Sequence, residues 1–177
     1  DGVTVSVVTT TGKRAQGRFA LDSAVDLLRY FNDYFGVRYP LPKLDMIAVP
    51  GGFGGAMENW GAITFFESRL LFDPAASADA ARRGIFSIVA HEIAHQWFGN
   101  LVTMGWRDNL WLNAGFATWT QAKATEHFHP QWQTWLNGSE HKQSAMSQDA
   151  RGTSHPIQRP VADETEASAM FDGITYY

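Results

Sequence analysis

Ala78-Asp79-Ala80-Ala81-Arg82-Arg83-Gly84-Ile85-Phe86-Ser87-Ile88-Val89-Ala90-His91-Glu92-Ile93-Ala94-His95-Gln96-Trp97-Phe98 is the stretch from which the rest of the chain can be read. Its alanines favour a helix, and Ile85, Val89, Ile93 and Trp97 recur every four residues, as one face of an α-helix requires. The pattern predicts a helix from Ala78 to Phe98, stopped by Gly99-Asn100. On it, His91 and His95 lie about one turn apart on the same side, so both imidazoles can point at one ion. The chain has no cysteine, which leaves nitrogen and oxygen as the donors for any metal, and two imidazoles suit zinc. Glu92 adjoins the first histidine without having to ligate the ion, the position wanted for a base that deprotonates metal-bound water. Catalytic zinc usually keeps three protein ligands and one open position, so a third donor must come from elsewhere. The next predicted helix, Asp108 to Glu126, stands a short loop downstream and is placed to supply it.

Upstream, Val3 to Thr9 alternates apolar and hydroxyl side chains and reads as a strand. Leu21, Val25, Leu28, Tyr30, Phe31 and Tyr34 give an amphipathic helix over Phe19–Phe35, ended near Gly36. Met46-Ile47-Ala48-Val49 and Ala62-Ile63-Thr64-Phe65-Phe66 read as two more strands. Between them runs a glycine-rich loop, Gly51 to Gly61, whose glycines permit positive φ and close approach of the backbone to a neighbour. Downstream, a helix is expected after Pro130 through Trp132, Trp135 and Leu136. All three strands precede residue 72 and three helices follow it, so a mixed α+β domain is expected, strand-rich over 1–72 and helical over 73–177, and not an alternating doubly wound sheet. The apolar, uncapped run Met170 to Tyr177 reads as the start of a helix and suggests a fragment.

The 177 residues carry 45% apolar side chains and 18% charged ones, enough for a core and too apolar for a disordered chain. The net charge of −4, with no basic cluster, argues against nucleic acid as a partner. No window reaches the roughly 18 apolar residues that would cross a bilayer. The chain as given is expected to be soluble, with a cytoplasmic setting favoured.

Gly55-Ala56-Met57-Glu58-Asn59, followed by His91-Glu92-Ile93-Ala94-His95-Gln96-Trp97-Phe98-Gly99-Asn100, resembles the zinc aminopeptidases of the aminopeptidase N type. The likeness extends through Tyr39 to Asp45, Trp111-Leu112-Asn113, Ser154-His155-Pro156-Ile157 and Phe171 to Tyr176. It is confined to the thermolysin-like catalytic domain; the family's amino-terminal β-domain and carboxy-terminal helical domain have no counterpart in the sequence. The resemblance implies that His91 and His95 ligate zinc, that Glu92 is the general base, and that the Tyr176 phenol stabilises the tetrahedral oxyanion. It also implies that Glu58 binds the α-amine of a peptide amino terminus, with Gly54, Gly55, Ala56, Met57 and Asn59 completing the substrate-binding loop. A cationic amine held at a fixed distance from the metal confers an exopeptidase preference, and the backbone of Gly54 to Ala56 can pair with the peptide as an added strand.

The family's third zinc ligand is a glutamate eighteen residues beyond the second histidine, and here that position is Ala114 in Trp111-Leu112-Asn113-Ala114-Gly115-Phe116-Ala117. Alanine has no donor atom, and adjacent helical residues point about 100° apart, so Asn113 cannot take its place. Two expectations result: an aminopeptidase domain impaired by Ala114, or a metal-free pseudoenzyme or peptide-binding module that keeps the loop around Glu58. His155, an extended residue before a proline, is read as structural. Trp97, Trp106, Trp111, Trp119, Trp132 and Trp135 are read as core and interdomain packing, and any left exposed would favour self-association.

Overall fold

The computed structural model describes residues 2–51 and 55–177, which form two compact units meeting at Gln96 and Trp97. The first unit is built on a four-stranded sheet. Strand β1 (Thr4–Val8) leads through helix α1 (Arg18–Phe35) to β2 (Lys43–Val49), and β3 (Ala56–Met57) and β4 (Ala62–Phe66) follow. The strand order is β1-β2-β4-β3, with β1, β2 and β4 parallel and the short β3 antiparallel to β4. Parallel strands need a long crossover, which is why a helix separates β1 from β2.

Alternation sets the register. Leu44, Met46 and Ala48 of β2 and Ile63 and Phe65 of β4 are buried, and Met46 stands opposite Ile63 and Ala48 opposite Phe65. Helix α1 buries Ala20, Ala24, Leu27, Leu28 and Phe31, and ends where Gly36 turns into the left-handed region at φ 66°. Helix α2 (Asp79–His95) packs on α1 and buries Ile85, Phe86, Val89, Ala90, Ile93 and Ala94. It also buries Glu92 and His95, two polar side chains among apolar neighbours.

The second unit is helical. It contains α3 (Trp111–Phe128), α4 (Thr134–Asn137), α5 (Ser139–Asp149), α6 (Glu164–Ser168) and α7 (Gly173–Tyr176), with 3-10 turns at Arg107–Asn109 and Pro130–Trp132. Leu110, Val161 and Met170 form its apolar cluster, flanked by Met104 and Ala167. Helix α7 packs on α3 and α5, and it approaches α3 closely at Gly115, where a Cβ would lie 2.8 Å from the Thr175 carbonyl oxygen.

The architecture is the mixed α+β arrangement expected, with several local differences. Helix α2 ends at His95 and not Phe98: Gln96 N–H bonds the Ile93 carbonyl, and Trp97 gives its carbonyl to Val102 in the next turn. The helix expected after Pro130 is two short pieces, because Gln133 adopts φ 51° between them. Trp97 and Trp132 are buried, as the packing role requires, but Trp106, Trp119 and Trp135 are 65%, 46% and 50% exposed. No helix among the described residues is long and apolar enough to cross a membrane.

The core of the first unit predicts a large truncation cost. Phe31 is fully buried, so Phe31→Ala is expected to lower unfolding free energy by about 3–5 kcal/mol, measured by urea titration of the full chain. A loss below about 1 kcal/mol would mean that α1 does not seat its aromatic face as described.

Candidate functional site

Four groups come together at the carboxyl end of α2 and the loop after β3. The helical repeat sets His91 and His95 one turn apart, with their Nε2 atoms 3.1 Å from each other and the rings 4.7 Å apart at 82°. Two nitrogens bound to one tetrahedral zinc at about 2.0–2.1 Å would stand roughly 3.3 Å apart, so the pair already has nearly the spacing of two zinc ligands. His95 is 3% exposed, and its Nδ1 lies 4.0 Å from Glu58 Oε1. Glu58, Glu92 and His95 each offer a donor atom within 4.8 Å of the others.

Glu92 is the electrostatically unusual member. It is buried, and its Oε2 has no hydrogen-bond partner among the described residues. Burial, reinforced by the nearby charge of Glu58, pushes its pKa up to about 8. A carboxyl so placed exchanges a proton near neutral pH, as a general base that later acts as an acid must.

Glu58 belongs to the loop that joins β3 to β4. Gly55 enters the hairpin with φ 74° and accepts a hydrogen bond from Phe66 N–H, and Ala56 and Met57 pair with Phe65 and Thr64. Met57 is exposed, and Asn59 Nδ2 donates to Thr64 Oγ1 at 3.3 Å. Gly54 lies outside the described residues.

Gln96, to which the sequence reading gave no role, organises this corner. Its fully buried side chain donates through Nε2 to the carbonyls of Glu58 (3.2 Å) and Glu92 (3.4 Å), and its Oε1 accepts from Gly61 N–H (3.1 Å). One amide thus ties the glycine-rich loop to the turn of α2 that carries Glu92. The only signal in the sequence is an amide directly after the second histidine, next to an apolar helix face.

Ala114 and Tyr176 belong to the second unit. Ala114 is buried in the first turn of α3, and Tyr176 is half-buried at the end of α7, which Gly115 holds against α3.

Comparison with known proteins matches residues 19–177 to the peptidase family M1 domain. Aminopeptidase M1-A of Oryza sativa subsp. japonica is 50% identical over 176 residues, covering 99% of this chain and 20% of that protein. Endoplasmic reticulum aminopeptidase 1 of Homo sapiens is 46% identical over 175 residues, 99% of this chain and 19% of its own length. Probable aminopeptidase 2 of Sulfurisphaera tokodaii is 46% identical over 175 residues, 98% and 22%. The chain spans about a fifth of the length of these curated relatives. Fold, helix-borne donor set and relatives together place it among the metallopeptidases. Within that class the chain belongs to peptidase family M1, the aminopeptidase N type that its motifs resemble.

Two measurements test this corner. Gln96→Leu strands two carbonyls and one N–H in the interior, and is expected to cost about 2–4 kcal/mol in urea titrations; a cost near zero would show that the loop is held by other contacts. Glu92 binds its proton more tightly folded than unfolded, so its own contribution to stability is fully present below about 4.5 and is lost as pH rises through about 8. With chelator present, the loss between these limits is on the order of 3–5 kcal/mol, and Glu92→Gln should abolish it. A wild-type stability that does not fall over this range would contradict the burial of an ionisable Glu92.

Proposed function

We propose that this chain is the zinc-binding catalytic core of an aminopeptidase that removes amino-terminal residues from peptides, impaired in this sequence by Ala114. The observation that carries the reading is the His91–His95 pair, its Nε2 atoms 3.1 Å apart, beside a buried Glu92 whose Oε2 lacks a partner among the described residues. The donor set fits zinc at two of the usual three protein positions: His91 and His95 would hold it, and Ala114 contributes nothing. When bound, zinc polarises the scissile carbonyl and lowers the pKa of water towards about 7.

The remaining chemistry belongs to the chain's own residues. Glu92 accepts a proton from the attacking water at its carboxylate and returns it to the departing amine, a role supported by a pKa raised to about 8. Glu58 pairs with the peptide's α-ammonium and sets which bond is presented. Strand β3 lies at the edge of the sheet, so the backbone of Gly55 to Met57 extends the sheet onto the peptide, with Asn59 bracing the loop. The Tyr176 phenol donates to the oxyanion as charge develops, an interaction worth a few kcal/mol in the transition state. The exposed Trp106, Trp135 and Leu136 favour self-association or a further domain as cover.

Ala114 favours a second reading, a peptide-binding module that has given up the metal. Ala114→Glu separates the two. Losing a residue that merely supports a ligand costs about 10–100-fold in metal affinity, so restoring the ligand should tighten zinc by at least that factor in competition titrations. It should also bring hydrolysis of a fluorogenic amino-acid amide that Glu92→Gln removes. A variant that gains neither zinc affinity nor turnover would overturn the catalytic reading in favour of the binding module.

A further inference from the structure

The clearest polar structure not absorbed by the proposed chemistry lies in the second unit, around His155. Its Nδ1 stands 2.9 Å from the Pro156 carbonyl oxygen and its Nε2 stands 2.6 Å from Asp172 Oδ2. A carbonyl only accepts a hydrogen bond, and so does an ionised carboxylate. Both ring nitrogens must therefore carry hydrogen, and His155 in this geometry is an imidazolium. Asp172 in turn caps α7: its Oδ1 accepts from Thr175 N–H at 3.1 Å, and its Oδ2 also accepts from Gln148 Nε2 of α5 at 3.2 Å. Helix α7 is a single turn that cannot hold itself by backbone bonds alone, and Tyr176 is its last residue.

We propose that His155 is a positioning residue for Tyr176, acting through Asp172: the imidazolium clamps the carboxylate that caps α7, so the protonation of His155 governs how firmly the tyrosine is held.

Asp172 responds to opposing influences. Burial opposes its ionisation, but the hydrogen bonds from His155 and Thr175 and the charge of His155 outweigh it and hold the carboxyl below its ordinary value. His155 is raised by its bond to Pro156 first and by Asp172 next, against burial and the charge of Arg159. Helix α5, which packs on α7, carries two further ionisable groups with partners of their own. Asp149 of α5 accepts from Ser154 Oγ, and His141 of α5 stacks on Tyr177, 5.2 Å between ring centres. Because the folded state raises the pKa of His155, its contribution is fully present below about 6.5 and is lost as pH rises through the higher folded value. A neutral ring can keep only one of its two bonds and in either tautomer loses the charge facing Asp172, so the clamp on the cap of α7 weakens.

The consequence for catalysis rests on the aminopeptidase reading above, but the coupling itself does not, and it can be measured without zinc. In the full chain, with Tyr176→Phe used to assign the ring, NMR titration should show the Tyr176 ring signals moving with the His155 Cε1–H midpoint, above the ordinary histidine value of about 6.5. His155→Gln should erase that inflection from the Tyr176 signals. Asp172→Asn keeps a side chain able to cap α7 but removes the charge that favours the imidazolium, so the His155 midpoint should fall and the Tyr176 inflection should fall with it. A merely structural histidine would alter the melting temperature and leave no such shared midpoint. Tyr176 signals that stay flat through the His155 titration, or a His155 midpoint unmoved by Asp172→Asn, would overturn the proposal. A shared midpoint in a chain that fails to take up zinc even as Ala114→Glu would sustain the clamp and sink the aminopeptidase reading instead.

Discussion

The buried amide of Gln96 is the constraint on which the geometry of the first unit's site depends. A loop rich in glycine has little preference of its own, since each glycine adds conformational freedom that folding must remove. The restraint is polar: two carbonyls and an N–H from the loop and from α2 converge on one side chain with no exposure to water. Within such an interior an unmet backbone group is costly, so three bonds to one amide favour a single loop conformation over its neighbours. Gly61 completes the arrangement: it sits at φ 73°, and a Cβ there would come within 2.7 Å of Leu41 Cδ1. Glu58 is thereby fixed through its own backbone carbonyl.

That fixation produces an electrostatic conflict. Glu58 and Glu92 are brought close together near His95, and Glu92 is also removed from water, so two negative charges and a desolvation cost fall on one corner. Burial accounts for more of the shift in Glu92 than repulsion does. A site under this strain favours a proton on Glu92 or a cation among the donors, because either relieves both terms. The conflict is the physical reason to regard the cluster as functional, since a stable apolar helix face would have been simpler to build with leucine at position 92.

How much of this the sequence could disclose depends on whether the signal was local. Helices α1 and α2 and strands β1, β2 and β4 carry their own apolar period, and their existence follows from it. Strand β3 is two residues long and exists only because β4 lies beside it, and α5 presents only Ala145 to the interior, so neither has a period to read. The break at Gln133 needs a positive φ at a residue that ordinarily avoids it. The histidine pair and Glu92 were legible because helical spacing alone brings them together. Gln96 and the bond between His155 and Asp172 were not, since hydrogen bonds between side chains distant in sequence leave no repeating trace in a chain.

Both units solve the same problem in the same way. A side chain that must present a charge or a phenol cannot be held by apolar packing around its functional end, so the restraint has to act on the backbone that carries it. In the first unit, Gln96 grips the carbonyl of Glu58 and leaves the carboxylate to other partners. In the second, Asp172 grips the amide of Thr175 and leaves the Tyr176 ring half-buried. The difference lies in charge. An amide holds its partners equally at any pH, whereas a carboxylate clamped by an imidazolium holds most firmly while both are ionised. The first unit's loop is therefore fixed once by folding, and the second unit's terminal turn remains subject to titration.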